Sequence, residues 1–436
     1  MHYNPTFMSF KAIFIDSTTA QRRTLLAASL GWALDAFDVM LYALVLTHVM
    51  ADLGMSKSTA GFLNTLTLLA SGIGGVMFGF IADRVGRTRA LMFSIFTYSV
   101  CSFASGLATS IAMLAVFRFI LGLGMGGEWN TGATLVAETW PQHLRAKALS
   151  VVQSSWALGY AAAALVAGVM LTYFDWRKVF FVGIAPALVT LWIQFKVPES
   201  EMWEKQKAAS NPTDNANSNL QANSAGPEIT AKEVGFATIF QPAYIGKTFT
   251  LLLMNLFGMF AWWGLFTWLP PYLSLPVAQG GRGFGVMNTT MLLVTLNLVG
   301  MFPGYASYGW IADMMGRRKS FMLFTACAAL LVPLYAEART PWVILVLGAM
   351  VAYFGTGFFS GSGIIASEIF PTAVRARALG FTYNGARALS AIAPYVIGRA
   401  GEKYGLGAAF YLCAAGFGLS CIMAWFIPET LGKELE

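Results

Sequence analysis

Apolar residues run along the chain in long blocks, interrupted by short clusters of charge and by glycine and proline. A helix needs about 20 apolar residues to cross the hydrocarbon core of a bilayer. By that measure twelve blocks are candidate spans: residues 24–50, 58–82, 90–109, 111–136, 147–173, 177–197, 246–272, 285–312, 320–337, 341–366, 377–400 and 407–427. The longest polar interval, 198–245, contains NPTDNANSNLQANSAGP, too polar to bury a core of its own and expected to be a flexible linker. It divides the spans six and six. The pattern predicts an all-α integral membrane protein: one six-helix unit over 1–197, a cytoplasmic linker over 198–245 and a second unit over 246–436.

Composition strengthens this reading. Of the 436 residues 57% are hydrophobic and 11% charged, with a mean hydropathy of +0.61; soluble domains carry roughly 25% charge. The net charge of +7 fits topology better than a nucleic-acid partner. With spans alternating in direction, Lys and Arg gather on the side of the N-terminus, as in Arg84, Arg87 and Arg89 or Arg317, Arg318 and Lys319. That is the positive-inside bias, and it puts both termini in the cytoplasm. The first twenty residues lack the order of a cleavable signal. The four cysteines lie in apolar runs without metal-ligand spacing and the three histidines form no cluster, so no metal, cofactor or enzymatic chemistry is expected. A phosphate-binding Gly-x-x-x-x-Gly-Lys-Ser/Thr loop is missing too.

The two halves share their punctuation. Gly79-Phe-Ile-Ala-Asp83-Arg84-Val-Gly86-Arg87 returns 230 residues later as Gly309-Trp-Ile-Ala-Asp313-Met-Met-Gly316-Arg317. Glu138-Thr-Trp-Pro141-Gln-His-Leu-Arg145 returns at the same offset as Glu368-Ile-Phe-Pro371-Thr-Ala-Val-Arg375, and Pro198-Glu199-Ser200 as Pro428-Glu429-Thr430. Gly79 and Gly86 are expected to allow close approach and a tight turn. Asp83, at a helix C-terminus where the dipole disfavours an acid, is expected to need a partner such as Arg145 or a neighbouring helix N-terminus. Glu138 with Arg84 makes a second pair, and Asp313, Glu368 and Arg375 repeat the arrangement as an inter-helix gate. Internal repeats of this kind place a substrate site between the halves, near the midplane.

These motifs resemble the major facilitator superfamily across all twelve spans. The Gly-x-x-x-Asp-Arg-x-Gly-Arg loop is its signature, and Arg118-Phe-Ile-Leu-Gly122-Leu-Gly124 is similar to its second motif. The resemblance implies two six-helix bundles related by a pseudo-two-fold axis and rocking about a central cavity.

Residues that break the repeat are the better candidates for chemistry. At the shared offset Asp35 meets Leu265, Asp38 meets Trp268, Arg118 meets Gly348, Glu128 meets Phe358 and Arg387 meets Ala157. Charges inside a membrane are disfavoured by at least about 2.5–3.5 kcal/mol each and usually mark a pathway or a partner. Asp35 and Asp38 share a helical stripe with Gly31 and Tyr42, roughly 15 Å from the inner end of the first span. On a dry face, desolvation and mutual repulsion oppose ionisation of both acids at once, as a proton carrier requires; a static pair satisfied by hydroxyls or an Arg is the alternative. Glu128 is read as a further protonatable group or a structural acid; its face and that of Arg118 differ by about 80°, so they do not pair directly.

Arg387 has Tyr383 and Asn384 on its own face, and a guanidinium grips a carboxylate with two parallel hydrogen bonds. It either binds a substrate carboxylate or neutralises Asp35 or Asp38 across the cavity; both hold if an acid keeps Arg387 until substrate replaces it. Gln153, Trp156 and Tyr160 form one stripe, and Asn255, Met259, Trp262 and Phe266 another. Amides interleaved with aromatics suit a small organic acid with an apolar or ring body.

Asp35-x-x-Asp38 is similar to the Asp-Gly-x-Asp feature of aromatic acid/proton symporters, with Ala36 in place of the glycine. Gly31-Trp-x-Leu-Asp-x-Phe-Asp and Gly126-Gly-Glu followed by Glu138-x-Trp-Pro look more like sialate and lactate/proton symporters. The shared expectation is a monomeric, plasma-membrane symporter of an organic monocarboxylate and protons. The rivals are an exporter or uniporter of neutral or cationic compounds, and a non-transporting sensor.

Overall fold

A computed structural model describes residues 17–200, 203–204 and 236–431. It is built from twelve helical units. Those of the first half are α1 (Thr19–Leu53), α2 (Lys57–Val85), α3 (Arg87–Ser105), α4 (Ile111–Thr139), α5 (Gln142–Tyr173) and α6 (Trp176–Lys196). Those of the second are α7 (Ile245–Ser274), α8 (Val286–Met315), α9 (Arg317–Glu337), α10 (Pro341–Ile369), α11 (372–404) and α12 (Leu406–Trp425). Among the described residues ten of these are long and apolar enough to cross a membrane. The other two are α3, rich in serine and opening on Arg87 and Arg89, and α11, which carries Arg375, Arg377 and Arg387. Helices are the expected form, since backbone groups in hydrocarbon must bond within their own segment. Most of the 198–245 linker lies outside the described residues.

Three spans are less regular than their hydropathy predicts. In α6 the helix breaks between Val182 and Ala185, and in α11 between Ser390 and Ala393, where Pro394 brings no N–H to continue the ladder. In α8 the six residues Leu296–Met301 widen into a π-turn just before Pro303. Such turns gather at functional sites.

Across the halves, α2 packs on α11, α5 on α8 and α1 on α7. The repeat maps the first pair onto the second and the third onto itself, the expected result of a pseudo-two-fold axis. Within halves, contact is often backbone to backbone: a Cβ on Gly159 of α5 would overlap the Ala33 carbonyl of α1, and one on Gly126 of α4 the Ser71 carbonyl of α2. At the end where α2 begins, the halves cap one another's helices. Glu402 accepts from Ser58 N at 2.7 Å, while Lys57 Nζ donates to the carbonyls of Gln279 (3.0 Å) and Gly401 (3.4 Å).

At the opposite end the two signature loops take one geometry. Gly86 and Gly316 have φ of +109° and +101°, accessible to glycine, and a Cβ on either would overlap the carboxylate of Glu199 or Glu429. Arg87 bridges Asp83 (2.9 Å) and Glu138 (3.2 Å); Arg317 bridges Asp313 (2.5 Å) and Glu368 (3.2 Å). The partner of Glu138 is therefore Arg87 and not Arg84, which is exposed. Arg87, first residue of α3, reaches both the end of α2 and the end of α4. Gly79 faces open space and makes no close approach. The side chain of Arg145 lies outside the described residues, and Arg375 donates to the Phe370 carbonyl at 3.1 Å. Glu199 and Glu429 cap the N-termini of α3 and α9, accepting from Arg87 N (2.8 Å) and Arg317 N (2.7 Å). Glu429 is held below its ordinary carboxylate range: burial opposes ionisation, but the backbone N–H groups of Arg317, Leu431, Thr430 and Arg318 outweigh it.

Candidate functional site

A narrow cavity lies between the halves, lined by Trp32 of α1, Gln153 and Trp156 of α5, Met259, Trp262 and Trp263 of α7, Tyr305 of α8, Phe359 of α10, and Tyr383 and Arg387 of α11. Seven of these ten are aromatic, and their rings interlock. Trp156 lies 4.7 Å from Trp32, 6.0 Å from Trp262 and 6.1 Å from Trp263, and Trp262 meets Phe359 edge-on at 5.6 Å. Trp262 turns its N–H away to Thr356 (3.2 Å), whereas Trp32 and Trp156 keep theirs without a partner among the described residues. Arg387 is the charged group on this wall. It is 7% exposed, and its Nε and one terminal nitrogen have no hydrogen-bond partner among the described residues.

Five of the predicted binding residues thus meet at one cavity: Arg387, Tyr383, Gln153, Trp156 and Trp262. Four lie off its lining. Tyr42 is fully buried and donates to the Ala60 carbonyl at 3.0 Å. Asn255 accepts from Ser362 at 2.6 Å, Tyr160 is fully buried further along α5, and Asn384 is half-buried and outside the lining. Met259, on the same stripe as Trp262, joins the five at the cavity, and Trp32, Trp263, Tyr305 and Phe359 lie outside the sequence expectation. The repeat carries a signal for two of these: Trp32 is the counterpart of Trp262, and Phe359 of Trp129, whose ring lies tilted against Trp32 at 4.5 Å.

The acidic stripe of α1 is turned inward. It meets α2, α3, α4 and the break in α6 of its own half, and Trp32 is the α1 side chain on the cavity wall. Asp38 accepts from Ser102 of α3 at 2.7 Å and lies beside Gly183 at the break in α6, where a Cβ would come within 2.6 Å of its carboxylate. Glu128 packs on the bare Cα of Gly31. Arg118 is wholly buried with its guanidinium 4.7 Å over the Tyr42 ring, and none of its three nitrogens has a hydrogen-bond partner among the described residues. Asp35, Asp38 and Glu128 are each 1% exposed, and each keeps one oxygen without a partner among those residues. Arg387 exerts its charge on Asp35 and Glu128, and Arg118 exerts its charge on Asp38. The acids therefore form a buried layer behind the wall, between a cation of each half.

Two six-helix halves around a central cavity define a multi-pass membrane transporter of small substrates. The sequence profile of the Major Facilitator Superfamily matches residues 28–290 and 281–435, and the chain belongs to that family. It is 32% identical to the probable 4-methylmuconolactone transporter of Cupriavidus pinatubonensis over 95% of this chain and 92% of that one. It is 30% identical to the sialic acid transporter NanX of Escherichia coli strain K12, over 95% and 96%. Its fold superposes on the crystal structure of a D-xylose-proton symporter with a TM-score of 0.73 at 19% identity, covering 95% of this chain and 100% of that one.

Proposed function

We propose that the protein imports an organic monocarboxylate together with protons by alternating access, rocking its two bundles about the central cavity. The observation that carries this reading is Arg387. It is a permanent cation with free donor capacity on a wall otherwise made of aromatic rings, one amide and one thioether. Carboxylates do not line the cavity among the described residues, which counts against a cationic substrate. Seven rings and few polar atoms favour a flat ring acid or an unsaturated acid over a polyhydroxylated one, because unmatched hydroxyls would be buried without partners. Tyr383 and Gln153 orient the acid beside Arg387.

Asp35, Asp38 and Glu128 serve as the proton-coupling groups. When substrate draws the charge of Arg387, Asp35 and Glu128 lose their nearest compensation from the second half and hold a proton more tightly. Binding of the acid and uptake of a proton are thereby linked. Asp83, Glu138 and their counterparts tie the loops at the other end. The protein acts as a monomer in a bacterial inner membrane, with both termini cytoplasmic.

The test is uptake by purified protein in liposomes under an inward proton gradient, following internal pH while offering lactate, sialate, benzoate and nicotinate. Gradient-driven uptake of a carboxylate with co-entry of protons is expected. Movement of cations in exchange for protons, with none of the acids taken up, refutes the reading.

A further inference from the structure

The hydroxyls that keep α3 below the hydropathy of the other spans are not scattered. Ser94, Tyr98 and Ser102 recur every four residues, which places them on one stripe, and all three are fully buried. The repeat does not carry this stripe. At the 230-residue offset α9 has Phe324, Ala328 and Val332. Hydroxyls are therefore private to the half that holds Asp35, Asp38 and Glu128, and apolar side chains stand at the same places in the other half.

Two of the three meet the acids. Ser102 donates to Asp38 at 2.7 Å. The Tyr98 hydroxyl donates to the Gly31 carbonyl over 3.4 Å, long for such a bond. A hydroxyl placed only to fasten α3 would close on its acceptor, as Ser94 does on the Gly124 carbonyl of α4 at 2.6 Å. Glu128 packs on the bare Cα of the same Gly31, so the phenol of α3 and the carboxyl of α4 come to one residue of α1, a turn before Asp35. The charges of Glu128, Asp35 and Asp38 act on Tyr98, in that order. Each acid also keeps one oxygen without a partner among the described residues. At 1% exposure the acids do not trade protons directly with bulk water. A hydroxyl between them is donor and acceptor at once, which Ala328 at the matching place is not.

We propose that the Tyr98 hydroxyl is the relay through which a proton passes between Glu128 of α4 and the aspartates of α1, with Ser102 positioning Asp38 to take part. The role rests on the proton-coupling reading above. In the step, the hydroxyl oxygen accepts a proton from the acid that holds one and gives its own to the ionised acid. One O–H bond forms as another breaks, a single proton changes carboxyl, and Tyr98 is neutral before and after. Arg387 and Arg118 are the cations whose charges act on these acids, so a change at Arg387 shifts the proton along a path that Tyr98 completes.

The test is time-resolved infrared spectroscopy of the purified protein after a drop in pH, following the band of protonated carboxyl groups. Its loss in Asp35→Asn, Asp38→Asn and Glu128→Gln assigns the buried component. Tyr98→Phe keeps the ring and removes the hydroxyl. In it the buried component is expected to rise at least about tenfold more slowly to an unchanged final height, since a positioned proton donor is worth about 10²–10⁴ in rate. Ser99→Ala removes a hydroxyl off the stripe, bonded to the Ile95 carbonyl at 2.7 Å, and should leave the rate alone. In liposomes Tyr98→Phe should slow gradient-driven uptake by the same factor while exchange of labelled for unlabelled acid is unchanged. A rate in Tyr98→Phe equal to wild type, a change of height alone, or equal slowing by Ser99→Ala overturns the proposal. So does equal loss of uptake and exchange, or a wild type whose buried acids take up no proton. If the infrared result stands while liposomes take up none of the acids, the relay stands and the transport reading falls.

Discussion

Tyr42 was expected to touch substrate, but its place beneath Arg118 makes it a test of how a charge survives in this fold. With no hydrogen bond to Arg118 nitrogens among the described residues, the ring 4.7 Å from the guanidinium is a principal source of stabilisation for that charge. A desolvated cation–π contact is worth about 2 kcal/mol or more. Tyr42→Phe keeps the ring and loses the 3.0 Å bond to the Ala60 carbonyl, a loss of roughly 0.5–1.5 kcal/mol. Tyr42→Leu loses the ring as well and should destabilise by about 2 kcal/mol beyond the Phe variant. Thermal unfolding in detergent, followed with a thiol-reactive dye reporting the buried cysteines, measures both. A double-mutant cycle with Arg118→Met isolates the pair, and its coupling energy should be about 2 kcal/mol. If the Phe and Leu variants unfold together, or the cycle closes near zero, the ring is packing alone and the electrostatic argument fails.

Other expectations follow from the same geometry. Arg387→Lys, which keeps charge but loses the two-pronged grip, should raise the KM for the transported acid about tenfold or more, as loss of a charge-assisted bond of 1.5–3 kcal/mol implies; an unchanged KM places the carboxylate elsewhere. Asp35→Asn should abolish accumulation driven by a proton gradient while leaving exchange of labelled for unlabelled substrate, and retained accumulation removes Asp35 from coupling. Glu429→Gln should destabilise by about 1 kcal/mol at pH 7 through the weakened cap of α9. Because Glu429 is held low in the folded state, its contribution is complete above the unfolded carboxylate value and disappears as pH falls through the folded one. The gap between wild type and variant in unfolding temperature should therefore close below about pH 4; a gap constant down to pH 3 refutes the assignment. Gly159→Val should be severely destabilising, since even a Cβ overlaps the Ala33 carbonyl; normal yield and melting would mean that α1 and α5 can part freely.

The architecture was legible because bilayer thickness and the 230-residue offset constrain it strongly, and both are written in residue types. The cavity was legible where a residue was chemically conspicuous: Arg387 stands out in any apolar span. Trp32 was overlooked for a physical reason. Departure from the repeat marks Arg387, yet a site on a two-fold axis is also lined by both copies of a position, and Trp32 and Trp262 are such copies. The direction of the acidic stripe was beyond the sequence for another reason. Helical periodicity groups Asp35, Asp38 and Tyr42 on one face but cannot say which neighbour that face meets; Ser102, Gly183 and Arg118 come from three other helices. Arg87 rather than Arg84 meets Glu138 because the chain reverses at Gly86, which periodicity does not describe.

The clasp at the α2–α11 rim has a bearing on the surroundings in which the protein works. One half lends a lysine to the Gly401 carbonyl in the last turn of α11, and the other lends Glu402 to the N-terminus of α2. Both are charge-to-dipole contacts at an exposed edge, where ions screen over about 8 Å at physiological ionic strength. The glycine contacts beneath them are steric and take no notice of salt. Raised salt therefore loosens the charged contacts at this rim and leaves the close approach of Gly61 to the Pro394 carbonyl and of Gly398 to the Lys57 carbonyl as it is.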